Sequence, residues 1–196
     1  MKKLVGAGVF ILVCVSIFGG VSTGASGSRL LKEIVSADQK VKYVQSRPVV
    51  ISKKHYRVHA APKSILIDPK TSIKFTLVIH NPHRDPLHFS VDNVQAYSGE
   101  KTFPLLKPEK VIAEARKEYS ADKLKLNKDQ AKILSPFVED KMQQLRDELL
   151  KDQIISSQKT VVGLIAIEVP LGIEKLTVEV TTPKDTHTFL FNLFEF

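Results

Sequence analysis

Three histidines lie within nine residues of one another, at His80, His83 and His88, and Asp85 lies among them. Imidazole nitrogens and carboxylate oxygens are common ligands of transition metals, so a metal site is one hypothesis for this stretch. The histidines follow no regular ligand spacing, however, and exposed turns are rich in polar residues. We therefore expect a solvated loop here rather than a metal site, and the sequence implies no cofactor.

Motifs that assign catalytic roles are missing from the sequence. It contains no Gly-x-Ser-x-Gly elbow, no His-Glu-x-x-His helix and no glycine-rich phosphate loop. Glu114, Glu118 and Asp122 recur at helical spacing, but lysine and arginine surround them, which is typical of a solvated face linked by ion pairs. We therefore expect the protein not to be an enzyme.

Positive charge is concentrated near the start of the chain. The net charge of the whole sequence is +8, and residues 29–63 alone carry nine basic and two acidic side chains, a local excess of +7. Clustered cations attract polyanions, so this segment is a candidate for binding lipid headgroups or a cell-wall polymer. The alternative is a soluble, flexible start to the domain or the flank of a membrane anchor. The candidate anion-binding residues are Lys40, Lys42, Arg47, Lys53, Lys54 and Arg57.

The first 28 residues have the order of a secretory signal peptide. Lys2 and Lys3 precede an apolar run over residues 4–21, and small residues follow over 22–28. We expect cleavage and a periplasmic or secreted bacterial protein. The alternative is an inner-membrane anchor retained through residues 4–21, because 18 apolar residues are at the lower limit for spanning a bilayer. Cys14 is the only cysteine, so a cleaved chain has no thiol.

Nucleic acid is not an expected partner of this chain. Export argues against it, and Tyr43 and Tyr56 alone do not form a platform on which bases stack. The expected partner is instead a protein or another component of the cell envelope, including an anionic membrane or wall surface.

A helical pattern interrupts the strands at about residues 107–158. Pro108 suits the first turn of one helix, and Asn127 with Gln130 marks a second start. The strongest start signal is Ser135 followed by Pro136, which predicts a helix from there to about Lys151.

An apolar stripe follows on that third predicted helix. We favour packing of the stripe on its own domain over a partner-binding coil, because two heptads are too few for a coiled-coil assignment. The stripe nevertheless remains a possible interaction surface. Its residues are Val138, Met142, Leu145 and Leu149.

Most of the remaining sequence alternates with the period of strands. Residues 71–97 predict an antiparallel hairpin whose turn is 81–86, and residues 43–60 predict one or two strands broken at Arg47-Pro48. Residues 159–169, the stretch around 176–180 and a buried final strand over 187–196 follow the helical block. Residues 29–42 indicate instead an exposed basic arm or a short helix. The prediction is a mainly β protein with α+β content, in which residues 43–196 form an antiparallel β-sandwich with a helical insertion.

Several segments carry a resemblance to a known class of proteins: FTLVIHNPHRDPLHF, DNVQAYSGEK, and the later pair VVGLIAIEVP and IEKLTVEV. They are similar to small exported bacterial immunoglobulin-like domains. The resemblance implies that the hairpin around Asn81-Pro82 and the strand ending at Val169-Pro170 belong to opposite sheets. It implies no site residues.

Besides a metal-dependent activity at the histidine turn, which is the weakest hypothesis, these observations lead to two others. The first is a non-enzymatic exported module that binds a protein or an envelope component through the helical insertion. The alternative is a periplasmic chaperone or assembly factor that accepts a client strand at a sheet edge.

Overall fold

A computed structural model describes residues 28–68, 71–120, 122 and 124–196, so the leader predicted over residues 1–28 lies outside it except for Ser28. The described residues form thirteen strands and two helices. In chain order they are β1 Arg29–Ile34, β2 Gln39–Val44, β3 Arg47–Lys53, β4 Arg57–Pro62, β5 Leu66–Ile67, β6 Ile73–His80, β7 Leu87–Phe89, β8 Val94–Ser98, β9 Lys101–Phe103, α1 Pro108–Glu118, α2 Lys128–Glu148, β10 Gln153–Ile155, β11 Thr160–Ile167, β12 Lys175–Thr181 and β13 Thr186–Glu195.

Two antiparallel sheets pack face to face, which confirms the predicted β-sandwich with a helical insertion. Sheet A has the strand order β5-β1-β13-β12-β8-β9, and sheet B has the order β11-β6-β4-β3-β2. Alternate residues of the two sheets fill the space between them. Phe75 of sheet B and Phe191 of sheet A are both fully buried, with ring centroids 4.9 Å apart.

Period-two patterns account for the central strands. In β6, Ile73, Phe75, Leu77 and Ile79 are at most 1% exposed, whereas the residues between them are half-buried. The predicted final strand is also confirmed, since β13 lies between β1 and β12 in sheet A. Its apolar residues face the core because every second side chain of a strand points to the same face.

The exposed arm or short helix predicted for residues 29–42 is wrong. β1 lies inside sheet A between β5 and β13, and β2 forms the edge of sheet B. Arg29 is only 1% exposed: its Nη1 donates to the carbonyl of Val169 at 2.9 Å, and its Nε lies 3.3 Å from a carboxylate oxygen of Glu195. Because a buried arginine occupies an inward position of β1, the sequence of this strand does not show a clear apolar alternation.

The predicted hairpin over residues 71–97 is also wrong. β6 pairs with β4 and β11, whereas β7 pairs with β10. The loop between them is held by the buried side-chain amide of Asn81, which donates to the carbonyls of Asp85 at 2.8 Å and Ile155 at 3.0 Å. These bonds tie the loop to β10 and direct the chain away from β6. Because β11 neighbours β6 within sheet B, the opposite-sheet arrangement implied by the resemblance is not found.

Two of the three predicted helix starts are confirmed. Pro108 begins α1, and Asn127 with Gln130 forms a complete capping box at the start of α2. The start at Ser135-Pro136 is wrong, because α2 begins eight residues earlier and contains Pro136 in its interior on an exposed face. A proline there removes one helical hydrogen bond, but the cap and the packing of α2 still favour the continuous helix.

The helices cover one corner of the outer face of sheet B. Val111 and Leu149 pack against Leu164 and Ala166 of β11. Backbone N–H groups of Leu106 and Leu150 donate to β11 carbonyls at 2.8 and 2.9 Å. The helical block therefore occupies much of the otherwise open edge of β11.

His187 lies at the start of β13 and has no exposed surface. Its Nδ1 is 2.9 Å from Oγ of Ser52 in β3, across the sandwich. Burial lowers the pKa of the imidazole to about 4, even though Asp185 and Asp38 favour the charged form, while Lys54 lowers the pKa further. Protonation of this residue in the folded state is therefore unfavourable above pH 4.

We expect this histidine to make stability depend on pH. In the unfolded chain the imidazole titrates near its ordinary value of 6.5, so the unfolded state binds more protons between pH 6.5 and about 4. Its contribution is complete above pH 6.5 and is lost as the pH falls, by up to about 3 kcal/mol. Urea unfolding at several pH values measures this. The free energy of unfolding of His187→Asn should vary less with pH than that of a His88→Asn control, and equal pH dependence would contradict the prediction.

Candidate anion-binding face

Sheet B contains no acidic residue in any of its five strands. The same strands contain six cationic residues, and all six occupy outward positions in the alternation of β2, β3, β4 and β6. We call the outward side of these strands and of the start of β11 the basic face. Its cations are Lys40, Lys42, Arg47, Lys53, Arg57 and Lys74.

The strand register places these side chains in rows across the sheet. Residues paired in register share one face, and their Cβ atoms lie about 4.5–5.5 Å apart. One row runs Lys53, Arg57, His80, Thr160. The neighbouring row runs Lys40, Ile51, His59, Val78, Val162. In both rows the cations lie on the strands nearer β2. The aliphatic residues Val78 and Val162 lie nearer β11, and Val162 is 62% exposed.

Five of the six predicted anion-binding residues converge on this face, and Lys54 does not. Its ammonium group donates to the carbonyl of Thr186 at 2.7 Å and lies 3.7 Å from the carboxylate of Asp38. Lys54 follows β3 in the turn to β4, so it faces the other sheet. Lys74 belongs to the face but was missed, because it lies outside the basic segment 29–63 and only the sheet register brings it there.

The cations that β2, β3 and β4 contribute to the basic face lack acidic partners. Within the described part of the chain, no carboxylate pairs with Lys40, Lys42, Lys53 or Arg57. The guanidinium of Arg47 donates only to neutral oxygens, at 3.1 and 3.4 Å. The charge of this surface is therefore not neutralised locally.

His59 lies on the central strand β4 of the basic face, where nearby cations affect its pKa. Its Nε2 is buried and has no hydrogen-bond partner among the described residues. Burial lowers the pKa of this imidazole, and electrostatic repulsion from Arg57, His80 and Lys42 lowers it further. A bound anion would act in the opposite direction, so the pKa of His59 is a probe of ligand binding.

The three histidines of the metal hypothesis are not brought together. Nδ1 of His80 lies 3.0 Å from Oγ1 of Thr160, and His88 is exposed on β7. The ring of His83 stacks on His55 with centroids 3.8 Å apart and contacts the His55 carbonyl at 2.8 Å. No group of three His, Cys, Asp or Glu residues in the described ranges is placed to hold a metal ion.

The predicted apolar stripe of α2 packs within the domain, as we favoured. Met142 is 1% exposed against α1, Leu149 is 7% exposed against β11, and Val138 and Leu145 are half-buried beside them. As an open interaction surface these four residues are therefore unsuitable. The exposed apolar residues of α2 are Ile133 at 70% and Phe137 at 64%. Sequence reasoning missed this pair, although its four-residue spacing was visible, because the predicted helix began at Ser135.

No protein family, curated protein or solved structure matches the chain. The likeness to immunoglobulin-like domains is therefore supported at the level of the β-sandwich alone. Neither helix in the described residues is long and apolar enough to cross a membrane.

Proposed function

We propose that this chain is a non-enzymatic exported module that binds phosphate-rich polyanions of the cell envelope on its basic face. The observation that carries the proposal is the absence of any carboxylate from the five strands of sheet B, combined with six outward cations. Protein surfaces usually intersperse charges of both signs. A sheet face of one sign attracts polyanions and concentrates them near the surface.

The chemistry of the face suits phosphate more than bases. Ammonium groups act as point charges toward phosphate, and arginine adds paired donors. The outward positions of the described strands in sheet B contain no Phe, Tyr or Trp on which bases would stack. The leader predicts export, which would bring the protein to anionic lipid headgroups and wall polymers, and both of these carry phosphate.

Neutralising the face should abolish most binding. A variant with Lys40→Gln, Lys42→Gln, Lys53→Gln and Arg57→Gln removes four unpaired cations that occupy outward positions of their strands. Each cation near an anionic surface contributes about 1 kcal/mol, so affinity for polyphosphate is expected to fall by about 100-fold or more. Titration calorimetry with polyphosphate at several salt concentrations measures both the affinity and its salt dependence.

A control variant with the same change of net charge tests whether binding depends on where the cations lie. Lys107→Gln, Lys117→Gln, Lys128→Gln and Lys132→Gln remove four exposed lysines of the helical block. This variant should keep most of the affinity, and equal losses in the two variants would contradict the proposal. Parallel titrations with phosphatidylglycerol vesicles distinguish a lipid source of phosphate from a soluble polymer.

Strand addition at β2 is the second candidate function. β2 is the end strand of sheet B, and the hairpin to β3 turns through Gln45 and Ser46 with φ of 50° and 62°. In a two-residue hairpin of this kind the flanking pair Val44 and Arg47 is hydrogen-bonded, so Val41 and Tyr43 direct their backbone groups to the open edge.

A proline at the open edge tests this candidate. Val41→Pro removes one edge N–H without removing a bond to β3, so capture of an extended client peptide should fall several-fold while polyphosphate binding is kept. A Val41→Ala variant controls for the lost side chain. Unchanged capture of the peptide by Val41→Pro, measured by fluorescence anisotropy, would exclude strand addition at this edge.

A further inference from the structure

An apolar row is exposed at one end of sheet A. Leu66 of β5, Leu30 of β1 and Phe194 of β13 are adjacent in register and share the outer face. Leu66 is 60% exposed and Phe194 is 44% exposed. Phe196 extends the row, since it is 71% exposed and its N–H donates to the carbonyl of Ser28 at 3.0 Å. We call these four residues the apolar end.

Two lysines lie next to the apolar end on the outer face of sheet A. Lys32 and Lys175 are both paired in register with Asn192, so they lie one step of two residues further along the same face. That step is about 7 Å along a strand. Apolar side chains of a protein at a bilayer interface enter the acyl boundary, while nearby lysines remain at the level of the phosphates. The apolar end, with two lysines about 7 Å from it, has this arrangement. Within these strands the exposed carboxylate of Glu195 pairs with buried Arg29 and accepts from the N–H of Gly172. Asp68 and Glu174 are exposed acidic residues that flank the strands.

The apolar end also surrounds the point at which the chain enters the domain. Ser28 is hydrogen-bonded to Phe196 and is followed at once by β1. The apolar run of residues 4–21 precedes it by only seven small residues, 22–28. Seven extended residues reach at most about 25 Å, so a retained anchor would hold this end of sheet A close to the bilayer.

We infer that residues 4–21 are retained as a membrane anchor, which is the alternative to the cleavage expected from the sequence, and that the apolar end rests on the surface of the same bilayer. The occupant of this surface is thus the lipid interface. Sheet B lies on the other side of the sandwich, so the basic face is turned away from that membrane. The inference does not depend on polyanion binding, because it concerns different residues on the opposite sheet.

Quenching by brominated lipids tests the inference. The chain has no tryptophan, so a single introduced indole is a specific probe. The full chain is synthesised cell-free in the presence of phosphatidylcholine vesicles with brominated acyl chains. Fluorescence of the Phe194→Trp variant should fall about two-fold or more relative to unbrominated vesicles, because the ring enters the acyl boundary by about 5–10 Å.

Two further variants provide a second probe at the apolar end and a control on sheet B. Phe196→Trp lies outside the core and should be quenched like Phe194→Trp even if the latter perturbs the sheet. Tyr43→Trp, 67% exposed on β2, should not be quenched. The inference is overturned if neither apolar-end variant is quenched, or if Tyr43→Trp is quenched equally. It is also overturned if mass spectrometry of the protein from cells expressing it shows that residues 4–21 have been removed.

Discussion

A chain that ends at Lys184 is expected not to fold. The truncation removes β13, which pairs with β1 over six residues and with β12 over seven, so both neighbours lose a partner. It also removes Phe189 and Phe191, which have no exposed surface. Loss of one buried phenylalanine typically costs about 3–5 kcal/mol, and two such losses approach the whole stability of about 5–15 kcal/mol of an ordinary domain.

Circular dichroism and thermal melting of the truncated chain measure this outcome. The control is a chain that lacks only Phe196, whose side chain is largely exposed and whose N–H makes one hydrogen bond. The control should melt cooperatively within a few degrees of the full chain. A soluble chain ending at Lys184 that melts cooperatively would contradict the central position of β13.

Local signals in the sequence predicted the elements that depend on local physics. β6 was predicted from its alternation because its inward residues are all apolar, and the capping box at Asn127 was predicted because its bonds join residues three apart. β1 was missed because Arg29 occupies an inward position, where its side chain contacts the distant groups Val169 and Glu195. No pattern within six residues reveals such partners.

Strand pairing was the principal failure, and it has a physical reason. A strand's own residues specify its faces, whereas its neighbours are decided by long-range contacts. The side chain of Asn81 redirects the chain after β6 by bonding to Ile155, which is 74 residues away. A turn-like sequence with two prolines was therefore interpreted as a hairpin although it joins different sheets.

The candidate site was predictable in composition but not in geometry. Counting charges identified Lys40, Lys53 and Arg57, because their excess is a property of the sequence itself. The count could not distinguish Lys53 from Lys54, which lie on different sides of the sandwich and differ in having an acidic neighbour. It also could not add Lys74, which only the register of β6 and β4 places on the same face.

Gly163→Ala is expected to destabilise the protein by about 3 kcal/mol or more, since overpacking of a tight core site commonly costs this much. A Cβ at this position of β11 would lie 2.5 Å from Cδ1 of Leu150 and 2.6 Å from its Cα. The backbone of Leu150 cannot withdraw freely, because its N–H donates to the carbonyl of Leu164 at 2.9 Å. The substitution should therefore loosen the attachment of the helical block to sheet B as well as lower stability.

Urea unfolding of the Gly163→Ala protein measures the loss, and Val162→Ala on the exposed side of the same strand is the matched control. Exposed sites like that of Val162 usually change stability by less than about 0.5 kcal/mol. Adding Leu150→Ala to Gly163→Ala should not restore stability, because the contact with the Leu150 Cα remains when Cδ1 is removed. If the second substitution restored stability fully, the clash of the alanine Cβ would be with the Leu150 side chain. It would then not be with the backbone that joins the helices to β11.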